Sequence, residues 1–156
     1  MKRLVCLAIA IMMILSSLSV SAAKVGSVAG SYLHTDICAK IDHAPIQSYN
    51  IAGNTAIIAE DLTNFGFKVV WDGAARTLAV TEGDKKLCSD FIHTKSGFKV
   101  GALAGSVLHT DIVTYVNGKA VRSFNIGGRT AIYIDDLGAF GNVKWDGDER
   151  TISFNR

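Results

Sequence analysis

The sequence predicts an α+β fold built as two tandem small domains, each an antiparallel sheet packed on one short helix. The first observation is a duplication, because the segment that opens KVGSVAGSYLHTDI at Lys24 returns as KVGALAGSVLHTDI at Lys99, an offset of 75 positions. About half of the paired positions are identical, which marks one structural unit used twice. The second observation is the apolar pattern. It has period two in several short runs, as in strands, and a spacing of three in one run, as in a short helix.

The chain before the first repeat, residues 1–23, is predicted to be a secretory signal peptide. It has basic residues at Lys2 and Arg3, an apolar run too short to span a bilayer comfortably, and small residues before a cleavage point after Ala22 or Ala23. The mature protein is therefore expected to be exported, either secreted or held at the cell surface or in the periplasm. No membrane association is expected after signal cleavage.

The remaining chain divides into three parts: residues 24–81 are the first repeat, residues 82–98 an inter-repeat segment, and residues 99–156 the second repeat. The inter-repeat segment begins with charged residues but contains Leu87 and Phe91, among other apolar side chains. It is too apolar for a free linker, so we expect part of it to pack between or along the repeats.

Each repeat is expected to contain an early β-hairpin. The chain turns at Asn117-Gly118 in the second repeat, and Asn-Gly between two strand-like runs is the strongest short-range hairpin signal. Asp42-His43 occupies the same place in the first repeat, and His adopts positive φ more often than most residues. The alternating apolar positions on the two sides of these turns are Ile37, Ala39, Ile41, Tyr49 and Ile51, and then Ile112, Thr114, Val116, Phe124 and Ile126.

A short helix is expected in the middle of each repeat, where apolar residues are spaced three apart. Gly66 and Gly141 follow these segments directly, where a helix end favours a residue that accepts left-handed geometry. Asp-Gly turns then predict a C-terminal hairpin in each repeat. The spaced residues are Ala59, Leu62 and Phe65, and Ile134, Leu137 and Phe140; the turns are Asp72-Gly73 and Asp146-Gly147.

Two cysteines, Cys38 and Cys88, remain after signal cleavage. An exported protein permits a disulfide between them. Cys38 aligns with Val113 of the second repeat, so a small apolar strand residue is an equally supported interpretation of Cys38.

The charge distribution excludes nucleic acid and anionic lipid as partners. The chain has 16 basic and 14 acidic side chains, and two of the basic ones, Lys2 and Arg3, leave with the signal. The mature net charge is near zero and the charges are scattered singly, so there is no electrostatic footprint for a polyanion.

A His-x-Asp motif occurs in both repeats, as His34 with Asp36 and as His109 with Asp111. On an extended strand the two side chains point to the same side, and imidazole with carboxylate suits zinc or copper. A specific site needs three or four converging ligands, so these residues are metal candidates only if the fold brings both motifs together. The favoured interpretation is a hydrogen-bonded or solvated strand entrance, and no metal or other cofactor is predicted.

One tryptophan occurs in each repeat, Trp71 and Trp145. Exposed indole faces could stack on sugar rings, whereas the alternation with Val69 and Val143 favours a place in the core. The arginines beside the Asp-Gly turns are predicted to pair across the hairpin, Arg76 with Asp72 and Arg150 with Asp146.

No residue constellation indicates catalysis. Adjacent acids occur at Glu60-Asp61 and Asp135-Asp136, but neighbours on a helix diverge, whereas glycoside hydrolysis needs two carboxyls facing one bond. No glycine-rich phosphate loop follows a strand, no serine stands in a nucleophile elbow, and neither remaining cysteine has a motif partner. The protein is therefore predicted not to be an enzyme.

Three motifs recur in both repeats: N-I-x-G-x-T-A-I, an acidic-Leu helix that ends in Phe-Gly, and V-x-W-D-G-x-x-R-T. They consist of Asn50, Ile51, Gly53, Thr55, Ala56, Ile57, Asp61, Leu62, Phe65, Gly66, Trp71, Asp72, Arg76 and Thr77, with Asn125 through Thr151 as the second set. Together they resemble a bacterial surface module, the copper amine oxidase N-terminal-like or stalk domain. The resemblance implies a small α+β fold, an antiparallel sheet wrapped on one helix, in an accessory part of exported proteins. It does not imply amine oxidation, because the copper and the quinone of amine oxidases belong to a large C-terminal domain.

The sequence therefore favours an exported, non-catalytic module of the cell envelope, acting as a spacer, scaffold or adhesive element. Its expected partner is a cell-wall glycan or an envelope protein. The alternative is a small binding module, either for cell-wall glycan through the tryptophans or for a metal ion through the His-x-Asp pairs.

Overall fold

The computed structural model describes residues 23–84, 90–93 and 97–156. These residues form fourteen strands and two short 3₁₀ helices, so the protein is mostly β and the predicted α+β class is wrong. Almost the whole predicted signal peptide and Cys88 lie outside the described residues. Within the described part, no helix is long and apolar enough to cross a membrane.

The two repeats contain the same seven strands in the same order. In the first repeat they are β1 (Val28–Leu33), β2 (Cys38–Ile41), β3 (Ala44–Ile46), β4 (Ser48–Ile51), β5 (Asn54–Ile58), β6 (Phe67–Asp72) and β7 (Thr77–Glu82). In the second they are β8 (Leu103–Leu108), β9 (Val113–Val116), β10 (Lys119–Val121), β11 (Ser123–Ile126), β12 (Arg129–Tyr133), β13 (Asn142–Asp146) and β14 (Thr151–Asn155).

Six of these strands close into a barrel to which both repeats contribute equally. Its order is β1-β4-β5-β12-β11-β8. The repeats meet at two antiparallel pairs of equivalent strands, β1 with β8 and β5 with β12. A strand that pairs antiparallel with its own counterpart places the repeats around an approximate two-fold axis.

Two four-stranded sheets flank the barrel, and each again combines the repeats. One has the order β10-β9-β7-β6 and the other β13-β14-β2-β3. The joining pairs, β7 with β9 and β14 with β2, are parallel. The expectation that each repeat carries its own antiparallel sheet is therefore wrong. A unit of this size hides only about 60% of its unfolded surface, and exchange of strands covers the sheet edges that it would otherwise expose.

The barrel interior forms one of two separate hydrophobic cores, and the barrel strands β5 and β12 contribute to both. Side chains that point into the barrel form the smaller one, which includes Ile58, Val107 and Ala131. Their neighbours on the outer side, such as Ile57 and Ile132, pack against the flanking sheets and the 3₁₀ helices in the larger one. The strands β5 and β12 are therefore buried on both faces.

The predicted helices are present in place but are 3₁₀ helices, at Ala59–Phe65 and Ile134–Ala139. A spacing of three matches the three residues per turn of a 3₁₀ helix, so Ala59, Leu62 and Phe65 form one buried stripe. A segment this short forms too few α-helical hydrogen bonds to compensate the free-energy cost of nucleating an α-helix. The chain also enters the first helix directly from β5, without a side-chain cap on Ile58.

The predicted hairpin turns are confirmed. Asn117 and Gly118 have φ of 50° and 76°, and Asp42 and His43 have φ of 45° and 72°, as the turns between β9 and β10 and between β2 and β3 require. Gly66 ends the first 3₁₀ helix in left-handed geometry with φ of 78°.

Gly141 does not have the left-handed geometry predicted from its alignment with Gly66. The second 3₁₀ helix ends instead at Phe140, in right-handed geometry. A Cβ on Gly141 would overlap the carbonyl oxygen of Asn155, so the glycine allows the close approach of β13 to β14. The same residue type therefore serves two different purposes in the two repeats.

Candidate functional site

The two tryptophans occupy equivalent places at the tips of the C-terminal hairpins. Trp71 lies on β6 and Trp145 on β13, and both strands are at the outer edge of a flanking sheet. Each indole reaches over the turn that follows it. The Nε1 atoms lie 3.4 Å and 3.5 Å from where a Cβ would stand on Gly73 and Gly147. Glycine at the turn thus leaves the indole edge uncrowded.

Both tryptophans are half exposed, so the favoured prediction that they pack in the core is wrong. Trp71 is 47% exposed and Trp145 is 48% exposed. Their predicted alternation with Val69 and Val143 holds, since both valines pack against the larger core. The hairpins continue beyond the edge of that core, and the next inward-facing position on each strand therefore reaches solvent.

An ion pair stands beside each hairpin tip, and each pair joins the two repeats. Arg76 donates hydrogen bonds to both carboxylate oxygens of Asp111, at 2.5 Å and 3.1 Å. Arg150 donates to Asp36 at 2.7 Å. The predicted pairing of each arginine with the aspartate of its own hairpin is wrong. Asp72 and Asp146 instead accept hydrogen bonds from backbone N–H groups within their own turns.

The Arg76 guanidinium also lies over the Trp71 ring, 5.5 Å from its centroid. A cation in this position is attracted by the electron-rich face of the indole. The first hairpin tip therefore presents an indole whose Arg76 neighbour is held in place by Asp111. Aromatic surface, a fixed donor and a fixed acceptor lie side by side.

The structure assigns a role to each residue of the repeated His-Thr-Asp motif. It lies in the connection after the first strand of each repeat, not on an extended strand as predicted. The His34 backbone N–H bonds Ala102 and its carbonyl accepts from Gly101, which continues the β1–β8 ribbon. The Thr35 hydroxyl accepts from Ile37 N–H at 3.1 Å. Asp36 then forms the ion pair described above.

The two His-x-Asp pairs lie at opposite ends of the β1–β8 ribbon. His34 adjoins Ala102 and His109 adjoins Ser27. Ser27 and His34 are seven positions apart on extended chain, which spans about 23 Å. Among the described residues, no group of three or more His, Cys, Asp and Glu side chains is placed to hold a metal ion. The fold does not bring these four metal candidates together, and both aspartates are engaged by arginine.

Cys38 is a half-buried residue at the start of β2. Its predicted disulfide partner lies outside the described residues, so the bridge remains a prediction. The position pairs with Thr151 of the neighbouring strand β14, which suits the small strand residue that was the alternative interpretation.

No family model, curated protein or solved structure matches this chain. The resemblance to the stalk domain therefore remains a prediction, whereas the α+β fold that it implied is not the fold observed.

Sequence reasoning singled out the tryptophans but missed the inter-repeat ion pairs beside them. Arg76 and Arg150 are equivalent, as are Asp36 and Asp111, and each arginine binds the aspartate of the other repeat. The sequence did contain a signal for these ion pairs, because the arginine and the aspartate both occur in each repeat. Only the exchange of strands shows which partner each arginine selects.

The ion pair with Arg76 should be visible in the titration of Asp111. The hydrogen bonds from Arg76 lower the pKa of Asp111 below its ordinary value. Because the folded-state pKa is depressed, this pair stabilises the fold above the unfolded-state pKa of Asp111. The contribution is lost as pH falls through the folded-state pKa. NMR titration of the carboxyl carbon should give a pKa below that of an unstructured Asp peptide, and Arg76→Gln should bring the pKa back toward it. An unchanged titration in the variant would contradict the pairing.

Proposed function

We propose that this protein is an exported, non-catalytic module of the cell envelope that binds cell-wall glycan through Trp71 and Trp145. The observation that carries the proposal is the half-exposed indole at the same place in both repeats. Trp is a residue type enriched at binding surfaces, and both repeats keep one exposed at the same position.

The chemistry of each tip suits a sugar. A pyranose ring has an apolar face of C–H groups that packs on an indole, and its hydroxyls need hydrogen-bond donors and acceptors at the rim. Arg76 and Asp111 supply both beside Trp71, and Arg150 and Asp36 supply both near the Trp145 hairpin. Trp and Arg are also the residue types that contribute most often to binding hot spots.

Two equivalent tips on one protein favour a polymer over a free sugar. When both sites engage one polymer, the second contact forms at the effective concentration set by the first. Affinity for the polymer can then exceed that of one site by about 100-fold or more. This suits an adhesive or scaffolding element, the role that the resemblance to stalk domains also supports.

Co-sedimentation of the mature protein with purified cell-wall sacculi tests the proposal. We expect saturable pelleting of the parent protein. Trp71→Ala and Trp145→Ala should each weaken it, and the double variant should lose it. The matched control is Val70→Ala, because Val70 is 46% exposed and adjoins Trp71 on the opposite face of β6. It should pellet like the parent.

Circular dichroism and thermal melting of each variant establish that it is folded, and half-exposed side chains at hairpin tips should be removable without unfolding. A parent protein that stays in the supernatant would contradict glycan binding. Pelleting that survives in the folded double variant would show that the tryptophans do not carry it.

A further inference from the structure

A groove lies where β1 and β4 separate at one end of the barrel. These strands pair only at Tyr32 with Ile51 and at Leu33 with Asn50. Beyond those pairs the chain leaves a cavity of about 370 Å³. Five rings line it: Tyr32, His34 and Tyr49 from the first repeat, and Phe91 and His93 from the inter-repeat segment.

A smaller cavity of about 170 Å³ adjoins this groove and shares Gln47 and Phe91 with it. The smaller cavity is lined by two carboxylates, Asp61 and Asp90. Asp61 is bound by Arg129 at 2.6 Å. Among the described residues, no lysine or arginine lines either cavity. Arg129 balances the charge of Asp61, so Asp90 is the carboxylate that adds negative charge beside the aromatic groove.

The second repeat shows which side chains occupy the position equivalent to the groove. Phe124 stands there for Tyr49, and Arg122 stands for Gln47. The Arg122 guanidinium lies over the Phe124 ring, 4.9 Å from its centroid. The second repeat thus supplies a cation to this ring from its own chain. Gln47 cannot do so, and its amide donates instead to the carbonyl of Ser48 at 3.0 Å.

A second difference between the repeats adds aromatic surface to the groove. Tyr32 replaces Val107, and its ring packs edge to face on Tyr49 with 5.2 Å between centroids. The Tyr32 ring occupies the space beside Gly105, where a Cβ would collide with it. Burial raises the pKa of Tyr49, so its hydroxyl stays protonated and the ring stays neutral.

We propose that this groove binds an organic ammonium cation in the place that the Arg122 guanidinium occupies in the second repeat. Aromatic faces attract a cation, and they do so more strongly for a weakly hydrated ammonium with an apolar shell. Tyr49, Tyr32 and Phe91 supply the rings, and the Asp90 carboxylate in the adjoining cavity adds attraction. The groove has no lining residue in common with the tryptophan tips, and its test does not depend on the proposed glycan binding.

Calorimetric titration with choline tests the charge requirement directly. The control ligand is 3,3-dimethyl-1-butanol, which has the same shape but carbon in place of the charged nitrogen. We expect choline to bind about tenfold more tightly, which corresponds to about 1.4 kcal/mol gained by a cation over partly desolvated rings. Equal affinities for the two ligands, or no binding of choline, would overturn the proposal.

Two substitutions of one exposed residue give effects of opposite sign. Gln47→Arg copies the second repeat and should fill the site, which weakens choline binding at least about tenfold. Gln47→Glu adds a negative charge and should tighten it. Gln47 lies between β3 and β4, so neither change should unfold the barrel, and circular dichroism checks this. Choline affinity that is unchanged in folded Gln47→Arg would also overturn the proposal. Trp71→Ala/Trp145→Ala should keep the parent affinity.

Discussion

Arg156→Ala is expected to destabilise the protein by about 3–5 kcal/mol, because it leaves a charge and several polar atoms in a buried site without their partner. The Arg156 side chain is 5% exposed and pairs with Asp42, which is 21% exposed. It also donates to the carbonyl oxygens of Phe65 at 2.7 Å and Gly66 at 3.1 Å. The guanidinium further lies 4.7 Å from the centroid of the Phe67 ring.

Arg156 therefore connects three separate parts of the fold: the residue after β14, the β2–β3 turn and the end of the first 3₁₀ helix. Urea unfolding of the parent and the variant measures the loss. The matched control is Arg150→Ala. The ion pair of Arg150 with Asp36 is about half exposed at the arginine, so its loss should destabilise the protein far less than the loss of Arg156. Losses of similar size for the two arginines would contradict the buried role of Arg156.

Leu62→Ala is expected to destabilise both repeats together, by about 2–5 kcal/mol. Leu62 is fully buried in the first 3₁₀ helix, and its core also contains Leu137 and Ile152 of the second repeat. Removing its side chain leaves a cavity in the core that the repeats share. Since the sheets also mix strands from both repeats, we expect one cooperative unfolding transition at a lower temperature.

Calorimetry reports the number of transitions, and hydrogen exchange reports which amides lose protection. Amides of β12 and β14 in the second repeat should lose protection as much as those of β5. The control is Val28→Ala, because Val28 is 66% exposed and its loss should be nearly neutral. Two separate transitions, or loss of protection confined to the first repeat, would contradict the interlaced fold.

Local features of this fold were readable from the sequence because their physical causes are local. The turn between β9 and β10 needs residues that accept positive φ, and Asn117 and Gly118 both have positive φ. Alternation predicted that Ala39 and Ile41 share a buried face, and both are fully buried. The place of each short helix was also correct. The type of helix was not predicted. A spacing of three was taken as evidence for a helix in general, whereas it is the period of a 3₁₀ helix.

The candidate sites were only partly predictable. Trp71 and Trp145 were named as sugar-facing candidates, but their alternation with buried valines suggested the core, since a strand pattern does not show where the core ends. The groove was missed altogether. Comparing the repeats position by position would have indicated it, because Gln47 replaces Arg122 beside an aromatic ring in both copies.

The sequence by itself determined the duplication, the hairpins, the buried faces and the residue types at each site. Tertiary structure alone decided which strands pair between repeats, and with that the partners of Arg76 and Arg150 and the position of both tryptophans at sheet edges. The physical reason is that turns and alternation depend on neighbouring residues. Whether β7 pairs with β9 or with a strand of its own repeat depends on the total surface that each arrangement buries, and no local pattern contains that quantity.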